Sequence, residues 1–350
     1  MRGILSKCLR KTDNDTLLDI SDFLSTALLL VVSFTALLAA IFFGLSGSDV
    51  GLLVSYTFRT SLCTKLLIRA TVKFDQAMIA MERTKEFIDL PTERYEGIDP
   101  EKSWPKYGQI SFERIWARYD STLEPVLKDI TIELKPGKKV GVCGRTGSGK
   151  SSMMLSLLRC VDVYKGSILV DGLDISKVPL RTLRTRISVI PQDPTLFRGK
   201  VRYNLDPDGL KSDIDLWETL DMVRMKDAVE QMEKGLEEEI YEGGGNLSVG
   251  QRQLFCIARA YLRDSKIVIM DEATSSVDFE TDQLLQAVMK KVFKHKTIIT
   301  IAHRISTIMD ADLVLVMEDG LLVEYGHPAE LLLLKEGVFS SLVNATAGPF

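Results

Sequence analysis

Three hundred and fifty residues, 45% hydrophobic and 26% charged with a formal net charge of -4, exclude a disordered or collagen-like chain and leave room for two domains. Five cysteines (Cys8, Cys63, Cys143, Cys160, Cys256) form no CxxC pair and no cluster with histidine, so neither a disulfide framework nor a structural zinc is expected and the chain reads as cytosol-facing and reduced. Aromatics at 7% and a mildly acidic balance argue against a nucleic-acid partner, while a mean hydropathy of +0.07 is high for so charged a chain and demands a local concentration of apolar residues.

That concentration is Phe23 to Leu45, 23 residues without a charged side chain. A helix of that length reaches about 34 Å, enough for the ~30 Å hydrocarbon core, and the run is too long for a cleaved leader. A transmembrane helix is expected. A Gly/Ser turn follows, then a second segment in which Arg59, Lys65, Arg69 and Lys73 share about 120° of one helix face, as on a span with one watery side or on an interfacial helix. Arg2, Lys7, Arg10 and Lys11 precede the first run and the turn after it carries no Lys or Arg, which places the N-terminus in the cytoplasm. Residues 74–90 continue in helical pattern. Pro91, Gly97, Pro100 and Pro105 then mark a linker over 91–107.

From Gly108 short β-rich runs alternate with helical ones, the texture of a mostly parallel sheet. The strand Val140 to Cys143 feeds into Gly144, Arg145, Thr146, Gly147, Ser148, Gly149, Lys150 and Ser151, a GxxxxGKS loop, and Ser152 to Leu158 then reads as a helix. Such a loop wraps backbone N–H groups around phosphate oxygens, Lys150 reaches the β- and γ-phosphates and Ser151 ligates Mg2+. The strand Lys266 to Asp271 ends in a carboxylate that can hold the metal, and Glu272 beside it can polarise an attacking water. Leu247 to Gln251 (LSVGQ) opens the helical run Arg252 to Leu262, where Ser248 and Gly250 form a second anion site. Two phosphate sites in one domain suggest a composite site completed by a second copy.

These motifs together resemble the ATP-binding cassette transporters, and the resemblance spans most of residues 108–347. It implies that Ser248, Gly250 and Gln251 bind the γ-phosphate held by an opposite cassette, and that Gln192 in Ile190-Pro191-Gln192-Asp193 links metal and phosphate to the membrane domain. Asp278 in Ser276-Val277-Asp278 would lie in the D-loop, and His303 in TIAHR would be the switch histidine. Tyr119, favoured over Trp116, would stack on adenine. Longer strings, among them EGGGNLSVGQRQL and DEATSSVDFETD, resemble the multidrug resistance-associated subfamily, which exports organic anions; its second cassette keeps the catalytic glutamate, here Glu272. Gly245 departs from the polar residue usual before the signature, and Met1 to Asp22 does not resemble the loop expected before the penultimate span.

The expected architecture is therefore an α/β P-loop NTPase cassette, a mixed sheet with helices and a helical subdomain, at 108–347. It is preceded by a partial all-α transmembrane domain at 1–90, with spans near 23–45 and 50–70 and a cytoplasmic helix to about 90. The expected activity is ATP hydrolysis with Mg2+, driving efflux of organic anions, conjugates or xenobiotics. Expected partners are a second cassette, further transmembrane helices and the bilayer. The location would be the plasma membrane or an organelle, with the cassette in the cytoplasm. Alternatives are a cassette that gates a membrane protein without turnover and a truncated, non-transporting piece. A soluble repair or translation ATPase is disfavoured by Phe23 to Leu45. The length leaves room for two spans only, too few for a pathway.

Overall fold

The computed structural model describes residues 23–24, 26–42, 44, 46–90, 92–93, 95–271, 279–301, 308–334 and 337–347. The chain divides into two compact units, Met1–Glu93 and Arg94–Phe350. In the first, helix α1 (26–42) precedes α2 (Gly47–Ile88), a continuous helix of 42 residues started by Ser46, whose side chain accepts from Asp49 N. No residue of α2 is buried. Hydroxyls on both helices bond back within their own turn, Ser33 to Leu29 O at 2.7 Å, Thr57 to Leu53 O at 2.8 Å and Thr71 to Leu67 O at 2.7 Å.

Among the described residues no helix is both long and apolar enough to cross a membrane. Positions 25, 43 and 45 of the first run lie outside the described residues, and the described helix 26–42 covers about 26 Å. α2 is long, but Arg59, Lys65, Arg69 and Lys73 dilute its hydropathy.

The second unit is built on two large sheets. Strands β1 (Ile110–Arg118), β2 (Leu127–Leu134), β4 (Asp162–Val170) and β5 (Leu173–Asp174) form an antiparallel sheet in the order β2-β1-β4-β5. The other sheet uses β3 (Lys139–Gly144), β6 (Ile187–Ile190), β9 (Ile267–Asp271), β10 (Thr297–Ile301), β11 (Leu313–Glu318) and β12 (Leu321–Gly326), in the order β12-β11-β3-β10-β9-β6. All of it is parallel except the β11–β12 hairpin, and the hydrophobic runs of β3, β9 and β10 are buried on both faces. β7 (Gly199–Lys200) and β8 (Glu239–Ile240) make a small third sheet.

Helix α3 (Lys150–Leu157) lies between the large sheets, with Met153, Met154 and Leu157 in one core with Phe112, Ile130 and Val142. α4 (Leu180–Arg186) leads into β6. A second core holds the helical region: α5 (Val201–Leu205), α6 (Asp213–Met222), α7 (Lys226–Glu230), α8 (Val249–Leu262) and α9 (Phe279–Val292) gather around Phe255 and Phe293, both fully buried. Arg259 of α8 ties this region together. It donates to Thr195 O at 3.0 Å and to Asn204 Oδ1 at 2.8 Å, and its Nε donates to Asn204 O. A third, smaller core packs α10 (Pro328–Leu332) and α11 (Val338–Ala347) through Leu331 and Phe339 onto Cys143, Val314 and Val316.

The stretch read as a linker is bonded along most of its described length, Leu180 N donating to Tyr95 O at 3.4 Å and Ile98 N to Lys177 O at 2.8 Å. Trp104 Nε1 donates to Val170 O at 3.0 Å, and the Asp171 carboxylate accepts from the amides of Tyr107, Gly108 and Gln109 at 2.9, 3.3 and 2.7 Å. Prolines break the periodicity that sequence reading relies on, and the bonds that hold the segment join residues far apart in the chain.

Candidate nucleotide site

β3 ends at Gly144 and α3 begins at Lys150, so residues 145–149 carry the chain from the sheet directly into a helix. Gly144 sits at φ +148, and a Cβ there would lie 2.2 Å from Met317 O and 2.7 Å from Ser148 Oγ, so the loop closes only around hydrogen. The β11–β12 turn presses on it from outside: Gly320 N donates to Ser148 O at 3.1 Å, and Gly320 O accepts from Lys128 N at 2.8 Å.

Three observations fit the loop to a polyphosphate. No side chain caps α3, so its first-turn N–H groups face outward with the positive end of the helix. Ser148 is 3% exposed, and among the described residues its Oγ has no hydrogen-bond partner. Lys150 is 6% exposed, with Nζ donating to Gly144 O and Arg145 O at 2.9 Å each. An anion bound at the helix start would add to the interactions that offset the burial of this ammonium. Cys143, one residue before the loop, is no competitor as a nucleophile: burial pushes its thiol up to about 12 against the downward pull of Lys150.

An open cleft of about 650 Å³ borders the loop, lined by Tyr119, by Thr146, Gly147 and Gly149 through Ser152, and by Asp319 and Gly320. Tyr119 projects half-exposed at its rim and its hydroxyl lies 3.0 Å from Ser152 Oγ. Ser152 therefore meets the tyrosine as well as the loop. Trp116 does not line the cleft; Lys165 Nζ lies 5.3 Å from its ring centre.

Asp271 and Gln192 fall along the carboxyl edge of the parallel sheet, where open α/β sheets bind ligands. Register aligns Asp271 with Ile301 and Ile301 with Val142, so Asp271 ends its strand level with the strand that feeds the loop. Gln192 follows β6, whose Ile190 pairs with Met270, and Gln253 Nε2 of α8 donates to Pro191 O at 3.4 Å. The hydroxyl of Ser151 and the carboxylate of Asp271 are hard oxygen donors of the type Mg2+ accepts, with phosphate and water completing its shell. Glu272, Asp278 and His303 lie outside the described residues.

Ser248 and Gln251 form a capping box: Ser248 Oγ accepts from Gln251 N at 3.2 Å and Gln251 Oε1 accepts from Ser248 N at 2.9 Å. α8 therefore starts at Val249, three residues before the expected helix. Capping uses only acceptor capacity of Ser248, whose O–H can still donate to an anion. Gly250 is set by packing, because a Cβ there would meet Thr281 Cγ2 of α9 at 2.3 Å. Neither Ser248 nor Gly250 lines the P-loop cleft. Sequence reading missed Lys128, Asp319, Gly320 and Gln253. The Asp-Gly pair at 319–320, between two apolar runs, was a hairpin signal that could have found two of them.

Comparison with known proteins places this geometry. The ABC transporter family model matches residues 127–275. ATP-binding cassette sub-family C member 8 of Rattus norvegicus is 43% identical over 93% of this chain and 21% of its own length. Sub-family C member 2 of Rattus norvegicus is 44% identical over 87% of the chain and 20% of its own length. Metal resistance protein YCF1 of Saccharomyces cerevisiae is 43% identical over 85% and 20%. The chain thus spans about a fifth of the length of these relatives. A bacterial Atm1-family ABC exporter with ATP bound superposes with a TM-score of 0.68 at 28% identity, covering 87% of this chain and 54% of that one. Fold, phosphate loop and relatives point the same way: residues 127–275 match the ABC transporter family model, and over nearly its whole length the chain is similar to ATP-binding cassette proteins.

Proposed function

We propose that this chain is the ATP-binding and ATP-hydrolysing part of a membrane exporter of organic anions, conjugates or xenobiotics, with residues 108–347 as its nucleotide-binding domain. The observation that carries the reading is the uncapped start of α3 beside a buried Lys150 and an orphaned Ser148 Oγ. The loop N–H groups and Lys150 would hold the triphosphate, and Tyr119 would stack on the base. Ser151, Asp271 and Gln192 would hold Mg2+, which when bound neutralises charge on the transferred phosphoryl group. Glu272 would accept the proton of the attacking water and His303 would donate to the γ-phosphate. Ser248, Gly250, Gln251 and Asp278 would serve the nucleotide of a second cassette, the expected partner.

A membrane setting is supported by the relatives, by exposed Leu52, Leu66, Leu67 and Phe74 on α2, and by hydroxyls already bonded within their helices. In this reading residues 1–90 belong to a multi-pass membrane domain completed by further helices, 91–107 join it to the cassette, and the cassette faces the cytoplasm of a plasma or organelle membrane. Neither the composition nor the relatives suggest nucleic acid. The test is ATP titration and phosphate release by the purified full chain, alone and with a second cassette. Lys150→Ala is expected to abolish ATP binding. Binding without hydrolysis under any pairing would instead favour a gating cassette, and full hydrolysis at a rate independent of concentration would refute the composite site.

A further inference from the structure

The base-stacking tyrosine stands in a loop, and something must fix it. Ala117 pairs with Leu127, Val126 N donates to Ala117 O at 2.8 Å, and Arg118 ends β1 opposite Asp162, so residues 119–125 are the hairpin loop between β1 and β2. Tyr119 is 52% exposed there. Its loop has a local device, an Asx turn in which Asp120 Oδ1 accepts from Thr122 N at 2.9 Å and from Thr122 Oγ1 at 2.8 Å. That turn shapes the tip, and the Tyr119 hydroxyl, 3.0 Å from Ser152 Oγ, steadies the far end of the ring, but neither ties the loop backbone to the sheet. Arg118 makes the tie. Its guanidinium carbon lies 4.5 Å from the ring centre of Tyr164 on β4, and its NH1 donates to Ser121 O at 3.1 Å. Among the described residues Arg118 Nε is buried with no acceptor, so the side chain gives up a hydrogen bond to lie on that ring. The two contacts bracket Tyr119 between a fixed strand and a loop carbonyl.

We infer that Arg118, clamped between Tyr164 and the Ser121 carbonyl, is a positioning residue that holds Tyr119 as a preformed base platform and so sets affinity for the nucleobase rather than for the phosphates. The inference rests on the reading of Tyr119 as that platform. Its physical content is preorganisation: an exposed aromatic in a loose loop must be ordered on binding, and that cost is subtracted from affinity, whereas a clamped one stacks without it. Charge alone does not account for the arrangement, since the planar fork both covers the Tyr164 face and reaches the carbonyl, which an ammonium cannot do together.

The test is equilibrium binding to the full chain, competing a fluorescent ATP analogue with ATP or with inorganic tripolyphosphate, which has no base. Tyr119→Ala is expected to weaken ATP and leave tripolyphosphate unchanged. Arg118→Ala and Tyr164→Leu are expected to weaken ATP by about three- to tenfold, again with tripolyphosphate unchanged, and Arg118→Lys to recover only part of the loss. If Tyr119→Ala weakens ATP while both Arg118→Ala and Tyr164→Leu bind it normally, the platform stands and the clamp is refuted. Equal weakening of ATP and tripolyphosphate by the clamp variants would make Arg118 merely structural and overturn the inference. If Tyr119→Ala itself binds ATP normally, platform and clamp both fall. Should Arg118→Ala not fold, Tyr164→Leu and Arg118→Lys carry the same comparison.

Discussion

Replacing Gly250 by alanine separates two roles of the signature segment. At N2 of α8 the new Cβ would sit 2.3 Å from Thr281 Cγ2, well inside contact distance, so α8 and α9 must part or Thr281 must leave its rotamer. Overpacking of this kind costs about 1–3 kcal/mol, against a helix-propensity gain of up to about 1 kcal/mol for alanine over glycine. The steric term wins, for a net loss of roughly 0.5–2 kcal/mol, or about 2–6 °C in Tm for a domain of this size. Thermal unfolding of the full chain in detergent, followed by tryptophan fluorescence, measures it without a second cassette or nucleotide. Thr281→Ser removes the offending methyl and keeps the hydroxyl, so the double variant should recover most of the lost stability. An unchanged Tm in Gly250→Ala, or a loss that Thr281→Ser fails to recover, would refute the packing account and leave Gly250 to phosphate binding alone.

Other consequences are as specific. Glu272→Gln should retain ATP binding while turnover falls by about a hundredfold or more, and full turnover would remove Glu272 from the catalytic role. Glu324 of β12 accepts from Val338 N at 2.7 Å and Phe339 N at 3.0 Å, capping α11, so Glu324→Ala should cost about 1–2 kcal/mol and speed amide exchange at 338–344; unaltered protection there would contradict the cap. At neutral pH an alkylating probe should reach exposed Cys63 and Cys160 before Cys143, whose thiol burial holds near 12, and mass spectrometry showing equal labelling would refute that burial. Burial alone would raise the Asp312 carboxyl, but bonds from Lys139 N at 2.9 Å and Lys138 Nζ at 3.3 Å outweigh it and hold the group below the usual 3.8. Its folded pKa is depressed, so its contribution is present above about pH 4 and lost as pH falls below that. Asp312→Asn should flatten acid unfolding slightly, by under about 1 kcal/mol for so exposed a pair, and an enlarged acid sensitivity would reverse the sign.

What the sequence revealed and what it hid follow from contact range. The strand, GxxxxGKS loop and helix are contiguous, so spacing alone located β3 and α3, and the apolar run ending in Asp271 located β9. The sheet order brought the ends of β3, β9 and β6 to one edge, which no local pattern states. Gly320 against Ser148 and Trp104 against Val170 join residues 172 and 66 apart, and nothing in the flanking letters marks either partner. Gly250 read as a phosphate residue because glycine at a helix start permits both meanings, and only Thr281 beside it reveals the packing one. At Ser248 the S-x-x-Q spacing was in view, yet the same serine starts an anion site and a capping box, and the cap moved the helix start to Val249.

The central claim is that ATP lies in the cleft between Tyr119 and the loop from Gly144 to Ser151. Photolabelling the full chain with an ATP analogue reactive at the base, followed by peptide mapping, tests it most directly. Label confined to the hairpin loop of Tyr119, competed by ATP and lost in Lys150→Ala, is the predicted result; competed label elsewhere in the cassette, with that loop unmodified, would contradict it.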